Sequence, residues 1–248
     1  MHFNILPFIL VGFVAQLIDG ALGMAYGVSS NTFLLSIGIA PAAASASVHF
    51  AKVVTTAVSG LSHWKFGNVD KDLIKRLLLP GILGGILGAY VLTAINGNAI
   101  KAYIAAYLVL MGAIILIKAF RKNHIPKKVT THLIPIGLFG GLFDSIGGGG
   151  WGPIVTTTLV ARGNCPRFAI GSVNLSEFFV SVAQSVTFFL TLGVLTTWKI
   201  VLGLVIGGVI AAPFAALATK RLPLRLLMSL VGVLIILLSV RTIVLSFR

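Results

Sequence analysis

The chain says nearly the same thing twice, and each copy sets an acid and a glycine-rich interruption inside an apolar segment. Gly12-Phe13-Val14-Ala15-Gln16-Leu17-Ile18-Asp19-Gly20-Ala21-Leu22-Gly23 returns as Gly137-Leu138-Phe139-Gly140-Gly141-Leu142-Phe143-Asp144-Ser145-Ile146-Gly147-Gly148, about 125 residues later in a chain of 248. The match runs without a gap from Gly12/Gly137 to Val58/Ala183. About a quarter of its positions are identical, among them Asp19/Asp144, Gly27/Gly152, Thr32/Thr157, Gly38/Gly163, Pro41/Pro166 and Ser47/Ser172. Such a chain must fold as two similar units. In a membrane protein, matching interruptions in the two halves point to a transporter's binding site.

Composition places the chain in a membrane. It is 57% hydrophobic and 10% charged, with a mean hydropathy of +1.05, which implies several helical spans. The net charge of +14 does not suggest nucleic acid, because the basic residues fall in short loops between apolar segments. Met1 to Pro7 lacks the basic start of a cleavable signal. The single cysteine, Cys165, leaves no internal disulfide and no cysteine-built metal site. There is no phosphate-cradling Gly-x-x-x-x-Gly-Lys-Ser motif for ATP hydrolysis, and no cofactor is expected. The longest polar stretch, Lys118 to His132, reads as a connector between a first repeat, 1–124, and a second, 125–248.

Each half divides into an interrupted segment and three spans: about 5–38, 41–63, 72–95 and 98–120, then about 132–161, 166–190, 198–219 and 223–245. The interrupted segments are long for one helix of about 20 residues and short for two. They read as helix–break–helix hairpins, broken near Gly20–Gly23 and Gly147–Gly152, either re-entrant or made of two short spans. The fold expected is an all-α integral membrane protein of two inverted-topology repeats. Positive charge supports the inversion. With the 64–76 loop in the cytoplasm, Lys65, Lys71, Lys75, Arg76, Lys118, Arg121, Lys122, Lys127, Lys128, Arg162, Arg167, Lys220, Arg221 and Arg225 all fall inside. Only Lys101, Lys199, Arg241 and Arg248 fall outside. Both termini are then outside a multi-pass cytoplasmic membrane protein.

Four ionisable residues stand within spans: Asp19, Lys52, Asp144 and Glu177. Each costs roughly 2.5–3.5 kcal/mol to insert, so each should face a cavity or a partner. Lys52 aligns with Glu177 as Asp19 does with Asp144. Ser45, His49, Lys52, Thr56, Ser59 and His63 share one helix face, and Asn174, Glu177, Ser181 and Gln184 repeat the stripe. Plain interhelical hydrogen bonding and a direct Lys52–Glu177 ion pair are the structural readings of these stripes. Capping of the second half-helix is that of Asp19 and Asp144. The functional reading gives Asp19, Asp144 and Glu177 a proton-coupling or gating role. Gly147-Gly148-Gly149-Gly150 permits an unwound backbone, which survives at membrane depth only inside protein or beside a cavity. Its exposed N–H groups suit an anion. The other span glycines, Gly81, Gly84, Gly85, Gly88, Gly203, Gly207 and Gly208, read as close helix packing.

At these residues the chain resembles the TauE/SafE sulfite exporter family of bacterial and archaeal membrane proteins. The resemblance rests on Phe143–Gly150 and its weaker copy Ile18–Gly23, and extends to Pro41–His49 and Gly171–Glu177. The first copy departs from the glycine run, with Met24-Ala25-Tyr26 where the second has Gly149-Gly150-Trp151. The resemblance implies movement of sulfite, thiosulfate, sulfoacetate or related organosulfur or carboxylate anions. The expected substrate site joins backbone at Gly23 and Gly147, Gly148, Gly149 and Gly150 to Lys52 and His49, with Ser47, Ser172 and Asn174 as hydrogen-bond donors. The expected activity is secondary transport or uniport of a small sulfur-containing anion, in the outward direction. A proton-coupled importer of a carboxylate or sulfonate is the alternative, and a membrane-embedded enzyme a remote one. The expected partners are the anion and membrane lipid, with self-association left open.

Overall fold

The computed structural model describes residues 4–120, 131–162, 164–193, 198–221 and 224–247, all helix and connecting turns. The connector residues 121–130, with Arg121, Lys122, Lys127 and Lys128, lie outside them, as does Gly163. In chain order the helices are α1 (Leu6–Leu22), α2 (Tyr26–Ser36), α3 (Pro41–Lys65), α4 (Lys71–Ala94), α5 (Gly97–Phe120) and α6 (Leu133–Gly147). A wide π-helical turn, Trp151–Thr156, then runs into α7 (Thr157–Ala161). It is followed by α8 (Pro166–Leu192), α9 (Trp198–Arg221) and α10 (Leu224–Ser246).

Local chemistry sets the boundaries. Proline opens α1, α3 and α8, where its missing N–H costs nothing and its fixed φ suits a first helical turn. Asp70 caps α4 by accepting from the N–H groups of Asp72 and Leu73. The two interruptions end their first helices alike: Gly23 and Gly148 each have φ of 66°, the left-handed stop that glycine takes without steric cost. The first break therefore falls at Gly23–Ala25, and Gly20 lies within α1, later than the expected start. Both acids sit in the last turn of the first half-helix. With 17 and 11 residues, α1 and α2 are each shorter than a full span.

Equivalent helices exchange partners between the halves: α1 packs on α9 as α6 packs on α4, while α3 meets α8 and α5 meets α10. Glycine permits the first two pairings. A methyl at Gly12 would lie 2.5 Å from the Leu204 carbonyl oxygen. One at Gly84 or Gly141 would strike the backbone of the facing helix, at Leu138 and Gly81. Close packing thus accounts for Gly84, as it does for Gly203 and Gly207 against Phe8 and Ile9.

Among the described residues, Lys71–Ala94, Ala99–Phe120 and Arg167–Leu192 are long and apolar enough to cross a membrane. Helix α3 has 25 residues but is loaded with polar side chains, and it turns them inward. His49, Ser45 and Ser47 are wholly buried, while Leu83, Leu87 and Tyr90 of α4 are more than half exposed. Charge inside and hydrocarbon outside is the pattern of a protein solvated by lipid. The ends of the bundle are also tied across the halves. Arg167 Nη2 donates to the Phe66 carbonyl at 2.9 Å, and Arg241 Nη1 donates to the Ser36 carbonyl at 2.8 Å.

Candidate functional site

The two interruptions touch. A methyl at Gly27 would stand 2.5 Å from the Gly148 carbonyl oxygen and 2.7 Å from the Gly149 Cα. One at Gly152 would stand 2.6 Å from the Gly23 carbonyl oxygen. Each break also receives a hydrogen bond from the other half: Asn31 Nδ2 donates to Gly147 O at 2.6 Å, and Thr156 Oγ1 donates to Gly23 O at 3.0 Å. Asn31 and Thr156 are themselves repeat equivalents. Non-helical backbone survives at this depth because the opposite half satisfies it. Tyr107, from α5, adds a bond from its hydroxyl to Gly149 O at 3.2 Å.

Beside this crossing lies a buried charged cluster, built where α3 packs on α8. Asp144 is its centre. Oδ1 accepts from Gly150 N at 2.8 Å, Trp151 N at 3.1 Å and Lys52 Nζ at 3.0 Å. Oδ2 meets Lys52 Nζ at 3.0 Å, Gln184 Nε2 at 3.0 Å and His49 Nε2 at 3.1 Å. Five donor groups from α3, α8 and the second break thus converge on one carboxylate. Lys52 also pairs with Glu177 Oε1 at 2.6 Å. The side chains of Lys52, Asp144 and Glu177 are at most 5% exposed.

The protonation of His49 follows from its neighbours. Nδ1 stands 2.7 Å from the Ser45 carbonyl oxygen, which can only accept, so Nδ1 carries a hydrogen. Nε2 faces a carboxylate oxygen, so a second proton lies between His49 and Asp144. The arrangement sets a lysine and an imidazole against two carboxyl groups. Asp19 Oδ1 accepts from Tyr26 N at 3.2 Å. Both acids therefore cap their half-helices, but only Asp144 gathers side-chain cations.

The sequence-expected site residues divide. Lys52, His49, Asp144 and Glu177 come together with the backbone of Gly150, and the Lys52–Glu177 ion pair forms. Gly147, Gly148 and Gly149 line the crossing rather than the cluster. Gly23 lies there too, with Asn174 Nδ2 near the position a Cβ would take. Asn174 accepts from Ser59 at 2.9 Å. Ser47 and Ser172 have partners of their own. Ser47 Oγ donates to Ala43 O in its own helix at 2.7 Å, and Ser172 Oγ accepts from Asp70 N at the start of α4 at 2.8 Å. Each stands two residues from a stripe member, which on a helix is the opposite side. His63 pairs with Asn68 at 3.3 Å, away from His49. Of the break N–H groups, those of Tyr26, Gly150 and Trp151 are taken by the chain's own acids. Gln184, a stripe member, is a direct Asp144 partner that identity of residue type alone did not single out. Asn31 and Thr156 were legible only as aligned polar residues.

Comparison with known proteins points to a family of membrane transporters. The family model described as "Sulfite exporter TauE/SafE" matches residues 8–242. The chain is 45% identical over 250 residues to the "Probable membrane transporter protein YtnM" of Bacillus subtilis (strain 168), covering 97% of this chain and 83% of that one. No solved structure matches the chain. The chain belongs to the sulfite exporter TauE/SafE family of membrane transporters.

Proposed function

We propose that this chain is a secondary transporter or uniporter that carries a small sulfur-containing anion such as sulfite, thiosulfate or an organosulfonate out across the cytoplasmic membrane. One observation carries the reading: five buried donors from both halves converge beside broken helices, on a group that is itself an anion. Helix N-termini with free N–H groups are natural anion sites, and intramembrane charge marks a transport path. Export of an anion needs no ATP. An inside-negative potential contributes about 2.3 kcal/mol per charge per 100 mV. The role is transport rather than catalysis.

The reading takes 1–124 and 125–248 as inverted repeats that rock against each other, with both termini outside. Two contacts support this topology. The Arg167–Phe66 bond joins two loops that the charge rule puts inside, and the Arg241–Ser36 bond joins two ends that it puts outside. Making each interrupted segment a single span would place Arg167 and Phe66 on opposite faces of the membrane.

The test is a thermal-shift panel on purified protein with sulfite, thiosulfate, sulfate, sulfoacetate, taurine, acetate and chloride at matched ionic strength. A ligand bound only by the folded form adds about 2.7 kcal/mol at a hundredfold excess over its Kd. A shift selective for a sulfur anion is expected. A shift with acetate alone would favour the carboxylate importer, and a flat panel would contradict the sulfur-anion reading.

A further inference from the structure

The cluster has no positive charge to spare. Lys52 and His49 face Asp144 and Glu177. Among the described residues no further cation contacts Asp144, and Lys118 of α5 turns instead to Met24 Sδ at the first break, at 3.8 Å. Helix α8 brings Glu177 and the neutral Gln184, α5 brings the Tyr107 hydroxyl to Gly149, and α4 brings the Gly85 carbonyl to Ser145. The hydrogen-bonded His49–Asp144 pair is neutral as a whole, and the Lys52 ammonium is matched by the Glu177 carboxylate at 2.6 Å, which leaves a net charge of zero before Asp19 is counted. An anion entering such a cluster would add an unpaired buried charge, which is strongly unfavourable.

The donors that an anion needs are nevertheless in place, and Asp144 fills them. We propose that Asp144 is a tethered stand-in for the transported anion, and that the anion takes its place only together with a proton that Asp144 accepts. This rests on the anion-transport reading above. The proton comes from solvent and converts the Asp144 carboxylate to a carboxyl, so the cluster gains one positive charge and the anion cancels it. A carboxyl has a hydrogen to donate and needs an acceptor. Gln184 supplies one: its Nε2 now donates to Asp144 Oδ2, while its Oε1 is buried with no hydrogen-bond partner. Turning the Gln184 amide over presents Oε1 to the new O–H and gives up the Nε2 bonds to Ser145 Oγ and Gly141 O. Lys52 Nζ, His49 Nε2 and the N–H groups of Gly150 and Trp151 are then released to the anion. A divalent anion would move with one proton as a net single negative charge, which still favours export.

The test is calorimetric titration of the full-length protein with thiosulfate and with methanesulfonate. Both stay fully ionised between pH 6.5 and 8. Each titration is run in two buffers of different ionisation enthalpy, so that net proton uptake is read directly. The expected result is uptake of about one proton per anion, with Kd weakening by up to about tenfold per pH unit as pH rises. Asp144→Asn, whose amide carries no charge, should bind anion with a Kd independent of pH and with no proton uptake. Binding by the unaltered protein without proton uptake would overturn the proposal and leave anion transport standing, whatever the variant does. Binding of neither probe would overturn both.

Discussion

Lys52 Nζ lies 3.0 Å from both carboxylate oxygens of Asp144, and the two residues are non-equivalent positions of opposite repeats. The repeat partner of Lys52 is Glu177, and that of Asp144 is Asp19. A fully symmetric duplication would have built two like sites. A lysine at one of the paired positions draws Asp144 and Glu177 to itself and leaves Asp19 with a backbone cap. The charges of the two halves thus form one cluster.

Removing Lys52 should cost folding stability as well as function. Lys52→Met leaves Asp144 and Glu177 buried without their shared cation. Loss of one partner of a buried ion pair destabilises by about 3–5 kcal/mol. The melting temperature in detergent should fall accordingly. Adding Glu177→Gln to Lys52→Met should recover part of the loss, because it removes one of the uncompensated charges. A double variant no more stable than the single one would mean that the ion pair does not set the cost.

Capping and charge can be separated at Asp144. An asparagine keeps an oxygen for the Gly150 and Trp151 N–H groups, whereas an alanine leaves both unmet. Asp144→Ala should therefore melt lower than Asp144→Asn, by roughly 1–3 kcal/mol for the buried groups left unsatisfied. Equal melting temperatures would show that the backbone bonds at the second break contribute little.

The crossing of the interruptions leaves no room for a side chain. Gly27→Ala and Gly149→Ala place a methyl against the backbone of the opposite break. Both should sharply reduce the yield of folded protein. Gly38→Ala is the control. Nothing lies within 4 Å of its Cβ position, and only its φ of 92° resists the change, so its cost should be about 1–3 kcal/mol. Monodispersity on size exclusion after detergent extraction reads the difference.

Topology is tested by reporters fused after Arg248 in a bacterial host. Alkaline phosphatase should be active there and a green fluorescent protein dark. The reverse would contradict the inverted arrangement.

Much of this architecture is legible in the sequence. Apolar runs of span length and the glycine breaks locate the helices because lipid leaves the backbone few alternatives. The stripe from Ser45 to Ser59 has helical period, so a polar face turned from lipid follows from spacing, while the direct Lys52–Glu177 pair stood as one of its alternatives. What spacing could not show was which acid the cations would choose. Asp19 and Asp144 align as equals, and the choice depends on what the opposite half brings within reach. Nor does residue identity between copies report a helix face: Ser47 and Ser172 match each other, yet both point away from the cluster.

The central claim is that a sulfur oxyanion crosses the membrane through the Lys52–Asp144–Glu177 cluster. It is tested most directly by efflux of radiolabelled sulfite and thiosulfate from proteoliposomes holding the unaltered protein, Lys52→Ala or Glu177→Gln. The account predicts efflux with the unaltered protein, accelerated when the lumen is made negative. It predicts at least a tenfold loss in each variant, as expected when about 1.4 kcal/mol or more of binding is removed. Normal efflux by both variants, reconstituted at equal amounts, would contradict it.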